Sequence, residues 1–375
     1  MKLDLTRLAA IAGLLLSTCY GSAADRAQQI DAIFRPLCSP ATPGVAVLVL
    51  KNGRTIFRRG YGTADLRTGA PITPQTNFRL ASFTKQFTAT AIMLLSRDRA
   101  LRYDDPLTRF FPDFPAYGQS ITVRRLLTHT SGLRDYEDIY FKQFAGTPEA
   151  SIPQLLDADA LKIMQAQPSP LFPPGAKWRY SNSGYAVLAM IVEQVSHQPF
   201  GALLQQRIFT PLNMRRTIAF QNGKNQVQQR AFGYRNQGGR WTFSDQSPTS
   251  AVLGDGGVYS SLEDLARWDR ALARHTLLSA ADMQPALTPV AVPGGAVNEE
   301  GKPVQYGFGW YLDPYRGRAR MYHDGETCGF RTTIQRFVDE RLTVIVLANR
   351  IDLDVDALAL KVADLFAPPV RRPAR

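Results

Sequence analysis

Histidine and cysteine are scarce in this 375-residue chain, and that scarcity closes off several kinds of chemistry. The four histidines, His129, His197, His275 and His323, and the three cysteines, Cys19, Cys38 and Cys328, show none of the spacings from which zinc sites are built, so no metal is expected. There is no G-x-S-x-G elbow, which argues against an α/β-hydrolase. Gly254-Asp255-Gly256-Gly257 lacks the Lys-Ser/Thr that completes a phosphate loop and reads as a turn. Neither a zinc-finger spacing nor a basic helix suggests a nucleic-acid partner, and nothing calls for a cofactor. Beyond residue 24 no apolar run is long enough to span a bilayer, and there is no internal repeat.

What the first 24 residues do contain is an export signal: Lys2 and Arg7, an apolar stretch over 8–16, and the small-residue site Ser22-Ala23-Ala24. The mature chain would start at Asp25 in the periplasm or medium, with 351 residues, enough for one large core. Leu16-Ser17-Thr18-Cys19 is an imperfect lipoprotein box because Thr18 is bulky, so the membrane enters only if Cys19 is lipidated. Cys38 and Cys328 would remain. An oxidising compartment permits a bridge, but nothing in the sequence pairs them, and two free thiols is the reading. Net charge is +12 at pH 7, and +11 without Lys2, Arg7 and Asp4. That balance favours anionic surfaces such as cell-wall polymers or lipid headgroups without naming a substrate. A basic tail at 369–375, carrying Arg371, Arg372 and Arg375, reads as solvated.

Residues 45–50 are β-branched and apolar, Asn52-Gly53 follows, and 55–61 continues the pattern, which predicts a tight hairpin. Residues 306–312, 332–338 and 342–348 also read as strands, the last two joined by the charged turn Asp339-Glu340-Arg341, and a helix over about 355–366 follows. Between these ends the pattern turns to helices, at 83–95, 184–195 and 262–272, the last with Ser260 and Ser261 as cap candidates ahead of Glu263 and Asp264. The expected fold class is α/β (α+β). An antiparallel sheet built from both chain ends, about 25–75 and 300–368, is flanked by helices, and a mainly helical lobe over about 76–299 is inserted in a single 25–368 domain. The cleft between such regions is a common ligand site.

The strongest local feature is Ser82-Phe83-Thr84-Lys85 at the start of an apolar helix. Positions i and i+3 share a helix face, so Lys85 reaches the Ser82 hydroxyl, and burial favours the neutral amine that a base requires. An ordinary lysine, with pKa about 10.4, stays protonated at neutral pH. Alone, S-x-x-K is common on ordinary helices. Tyr180-Ser181-Asn182 and His323-Asp324-Gly325-Glu326 change its weight, together with His129-Thr130-Ser131-Gly132-Leu133 and Gly256-Gly257-Val258-Tyr259-Ser260-Ser261.

In that order the segments resemble the serine β-lactamase and D,D-peptidase family, particularly its class C-like branch, over nearly all the mature chain. The resemblance implies a β-lactamase/transpeptidase-like fold and three active-site motifs: Ser82 with Lys85, Tyr180 with Asn182, and His323 with Gly325. It implies that Lys85 and Tyr180 relay protons for Ser82, which is acylated by a carbonyl substrate and released by water. By the same resemblance Asn182 orients substrate, the backbone N–H groups of Ser82 and Glu326 form the oxyanion hole, and Gly325 lets substrate approach the strand. The bland readings are a buried Tyr180 anchoring a loop, Asn182 capping a helix and Gly325 serving a turn. His129 and Ser131 are assigned structural roles.

The third motif departs from the Lys-Thr-Gly usual in efficient β-lactamases of that branch, since His323 and Asp324 replace the ammonium and hydroxyl. A neutral histidine and an ionised Asp324 facing the cleft would receive a drug's carboxylate poorly. Peptidase, amidase or esterase activity on D-amino-acid peptides or esters, including cell-wall peptides, is therefore the leading expectation. A true β-lactamase and a catalytically weak penicillin-binding module stand as alternatives.

Overall fold

The computed structural model describes residues 23–367. Cys19, the tail at 369–375 and the expected leader, except Ala23 and Ala24, lie outside the described residues. Five strands, β1 (Val45–Lys51), β2 (Arg54–Tyr61), β3 (Met321–Thr327), β4 (Phe330–Phe337) and β5 (Leu342–Ala348), form one antiparallel sheet in the order β3-β4-β5-β1-β2. The two chain ends meet along β1 and β5, with register Val45↔Ala348 through Lys51↔Leu342. Six helices concern the argument: α1 (Ala23–Phe34), α2 (Lys85–Arg97), α3 (Tyr136–Gln143), α4 (Asn182–Ser196), α5 (Leu262–Ala273) and α6 (Val355–Asp364).

The alternation of β1 explains the layering. Val45, Val47 and Val49 face one way, into a cluster with Ile30 and Phe34 of α1 and Ala359 and Val362 of α6. Ala46, Leu48 and Leu50 face the other way, into a larger cluster with Phe87 of α2, Leu188 of α4 and Trp268 of α5. Because side chains alternate with period two, a strand buried on both faces must be apolar throughout, as the run at 45–50 is.

Within the inserted segment, Phe78–Arg79, Val258–Ser260 and Ile218–Ala219 make a small sheet. It anchors the chain just before Ser82, where the Leu80 N–H donates to the Val258 carbonyl at 2.8 Å. The strand expected at 306–312 is instead a folded-back segment with isolated bridges Tyr306↔Tyr311 and Tyr311↔Tyr322. The cause is Gly309, which has φ +74° and sits so close to α2 that a Cβ there would lie 2.8 Å from the Lys85 carbonyl oxygen. Cys38 and Cys328 are both free, and burial pushes the Cys38 thiol up to about 11.

Candidate active site

Ser82 lies in a 3₁₀ turn, Ala81–Thr84, and α2 proper begins at Lys85, two residues later than the start expected at 83. The consequence for chemistry is favourable, because side chains at i and i+3 eclipse in a 3₁₀ turn. Lys85 Nζ sits 3.0 Å from Ser82 Oγ, 2.8 Å from Asn182 Oδ1 and 3.0 Å from the Asp255 carbonyl oxygen. Lys85 is fully buried, whereas Ser82, Tyr180 and Asn182 are part-exposed. The Ser82 hydroxyl thus faces outward with Lys85 behind it. Ala81, the residue before it, is held at φ +50°, a left-handed conformation uncommon for alanine.

Asn182 is oriented by chemistry alone. Its Nδ2 donates to Glu137 Oε2 at 2.9 Å, and a carboxylate can only accept, so Oδ1 must turn to Lys85. Asn182 does not cap α4, since Ser181 Oγ accepts the Gly184 N–H in that role. Burial lowers the Lys85 ammonium to about 8, against the opposing pull of Asp255, Glu137, Asp135 and Asp324. A neutral amine keeps two N–H donors and one lone pair. Asn182 Oδ1 and the Asp255 carbonyl can only accept, so the lone pair is left for the Ser82 hydroxyl. Burial holds the Tyr180 phenol well above its ordinary range, with its hydrogen bond to Ser82 acting against this, so Tyr180 stays protonated at neutral pH.

The third motif divides across the sheet. His323 is fully buried. Its Nδ1 donates to the Asp324 carbonyl at 2.7 Å, so Nε2 accepts from the Tyr306 hydroxyl at 3.0 Å. Both nitrogens being used, and burial pushing the imidazole down to about 4, His323 is neutral and turned inward rather than presented to a ligand. Asp324 was expected in the same contact set. Its register partner is Thr333, whose hydroxyl donates to Asp356 Oδ1 at 2.6 Å, so Asp324 projects on the α6 side of the sheet, opposite His323. It lines a small surface hollow there with Asp352, Asp354 and Asp356. Gly325 is needed by the protein's own backbone: a Cβ would lie 2.2 Å from the Leu80 carbonyl oxygen. Glu326 is on the edge strand, its side chain exposed and paired with Arg331.

Three site residues escaped sequence reasoning. Asp255, read as part of a turn, supplies the carbonyl to Lys85, and its buried carboxyl, raised to about 7 by burial, accepts the Tyr136 hydroxyl at 2.7 Å. Asp135 caps α3 and accepts the Asn182 backbone N–H at 3.3 Å, and burial lifts it to about 6. Glu137, which also accepts Thr249 Oγ1 at 2.7 Å, fixes Asn182. An Asp two residues before a Glu at a helix start was a visible capping signal, but nothing local tied it to the cleft. His129 supports the site from behind, its Nδ1 accepting the Ser181 N–H at 3.1 Å and its ring 4.5 Å from that of Tyr180. Ser131 Oγ accepts the Leu133 N–H within its own turn.

With the fold and the surroundings of Ser82 described, comparison with known proteins gives the family. The Beta-lactamase family matches residues 26–367, and the chain belongs to that family. It is 31% identical over 367 residues to Penicillin-binding protein 4* of Bacillus subtilis strain 168, covering 94% of this chain and 78% of that protein. It is 29% identical over 309 residues to a D-aminopeptidase of Cereibacter sphaeroides (strain ATCC 17023), covering 82% of this chain but only 57% of that relative's length. Among solved structures, D-amino acid amidase from Ochrobactrum anthropi SV3 shares the fold, with a TM-score of 0.76 at 24% identity over 91% of this chain and 98% of that one. The octameric penicillin-binding protein homologue from Pyrococcus abyssi superposes with a TM-score of 0.74 at 25% identity over 92% of this chain and 76% of that one. The protein is a serine hydrolase.

Proposed function

We propose that this protein is an exported hydrolase that cleaves amide, peptide or ester bonds of D-amino-acid substrates through an acyl-enzyme on Ser82. The observation that carries the reading is Lys85 Nζ standing 3.0 Å from Ser82 Oγ with its other two contacts to acceptor-only oxygens, so that in the neutral amine the lone pair is left for the hydroxyl. Lys85 takes the hydroxyl proton as Oγ bonds to the substrate carbonyl carbon, and Tyr180 hands its proton to the departing amine or alcohol as the bond to that carbon breaks, being reprotonated by Lys85. Water then attacks the Ser82 ester and gives its proton to the neutral Lys85 amine, which returns it to Ser82 Oγ as the acyl bond breaks, so the free acid leaves and Ser82–OH, Lys85 and Tyr180 are restored. The backbone N–H groups of Ser82 and Glu326 serve the oxyanion, β3 being an edge strand whose outer side is bridged to Tyr311 at Tyr322, four residues before Glu326.

D-Amino-acid substrates are supported by relatives named D-aminopeptidase and D-amino acid amidase. The charges beside the site fit an α-ammonium: Asp135 and Glu137 flank Asn182, and no ammonium stands at position 323. The neutral, inward His323 gives a β-lactam carboxylate little to bind, which ranks antibiotic hydrolysis second. A time course of intact mass with D-amino-acid amides, D-Ala-D-Ala peptides, short-chain esters and a penicillin tests the proposal. Turnover of D-substrates through a transient adduct is expected. Turnover confined to penicillin, or no adduct with any of them, would overturn it.

A further inference from the structure

At the other end of the β3–β4 ladder from Gly325 lies a cavity of about 850 Å³, within the size range of small-molecule pockets, about 300–1,000 Å³. Its back wall holds Arg336, the register partner of Met321 and only 8% exposed. A guanidinium carries five donors. Here Nε donates to Asp269 Oδ1 at 2.7 Å, but Nη1 meets only the Met321 thioether at 3.1 Å and Nη2 an Asp269 carbonyl at 3.5 Å, the limit of a hydrogen bond. Asp269 is the one carboxylate among the described lining residues, and it also accepts Thr343 Oγ1 at 2.7 Å. Four arginines line the same cavity, with Arg274 and Arg341 exposed at its rim. The rest of the wall mixes apolar side chains, Leu272, Met283, Phe337 and Leu342 among them, with the polar Asn52, His275 and Gln305, and Leu287 and Val338 stand 38% and 52% exposed at the mouth.

A buried guanidinium short of acceptors, a positive rim and exposed apolar side chains at the mouth call for one ligand chemistry. We propose that this groove is a second binding site, separate from Ser82, that takes a long-chain carboxylate, its head on the Arg336–Arg341 side and its chain along Leu287 and Val338 at the mouth. A planar carboxylate matches the guanidinium fork, and the chain covers the exposed apolar surface of those two side chains. The net charge of +12 draws such an anion in.

Calorimetric titration of the full chain with monomeric laurate tests the site, with acetate and dodecyltrimethylammonium as controls for head and tail. Saturable one-to-one binding of laurate is expected, with roughly tenfold or greater weakening in both Arg341→Glu and Leu287→Asp, and no comparable binding of either control. Both residues are exposed and neither is among the groups bonded to Ser82 or Lys85, so unchanged hydrolysis of a D-amino-acid amide certifies their folding. Absence of saturable laurate binding, a weaker effect in the well-folded variants, or equal binding of the cationic amphiphile overturns the proposal. So does a dimer that Leu287→Asp dissolves, since the groove would then belong to a second copy.

Discussion

β1 and β3 are both seven-residue strands of one antiparallel sheet, yet they do opposite work. β1 is sandwiched between β5 and β2, and Val45 to Leu50 are all buried. β3 is the edge, with His323 and Gly325 buried, Gly325 against the Leu80–Ala81 segment before Ser82, Asp324 turned to the other face and Glu326 exposed. Two clean faces of apolar side chain give a strand stability and nothing with which to react. An edge strand leaves backbone groups unsatisfied, and that is what a substrate can use. Under the proposed function, stability and chemistry fall to different strands of the same ladder, so they should separate under mutation.

The largest separation is expected from Lys85→Ala and Tyr180→Phe. Each should lower kcat by about 10² to 10⁴ while thermal unfolding remains cooperative, because general acid–base steps are worth that much. Steady-state kinetics that show only a raised KM would make the residue a binding group. The converse is Leu48→Ala in β1, expected to cost about 2–5 kcal/mol by urea denaturation with kcat unchanged while the variant is folded. A proportionate fall in kcat would mean the two regions are not independent.

Gly325→Ala tests the point where the regions touch. The added methyl would sit 2.2 Å from the Leu80 carbonyl oxygen, two residues before Ser82. Overpacking of about 1–3 kcal/mol is expected, accompanied by loss of kcat as the 80–82 segment shifts. Parental kcat with reduced stability would show that the nucleophile does not depend on this contact. The smallest effect concerns pH. Lys85 must be neutral to act, so kcat/KM should rise with pH through a limb near 8. Asp255 raises the Lys85 value, so Asp255→Asn should move that limb to lower pH. A limb that stays in place, or moves up, would take Asp255 out of the lysine's electrostatics.

Much of this was legible in the sequence, for reasons that particular residues make plain. The hairpin was readable because β1 is apolar on both faces and Asn52-Gly53 sits at its turn, with φ +52° and +73°. Ser82 and Lys85 were readable because their contact is local, three residues apart. Residues 306–312 misled because an aromatic run imitates a strand until Gly309 packs against the Lys85 carbonyl, a contact more than two hundred residues distant in the chain. Asp324 misled for a different reason: period-two alternation already separates it from His323 and Gly325, and the motif pattern obscured that geometry. Asp255 and Glu137 act on Lys85 and Asn182 only through tertiary structure, so no local spacing pointed to the cleft.

The central claim is that Ser82 carries the acyl group. Labelling with a fluorophosphonate, followed by peptide mapping, tests it in the parent and in Ser82→Ala. The account predicts a single adduct on Ser82 in the parent, and none in a variant with unchanged cooperative unfolding, because one hydroxyl matters to covalent chemistry and little to packing. An adduct of equal yield in the variant, mapped to another serine, would contradict it.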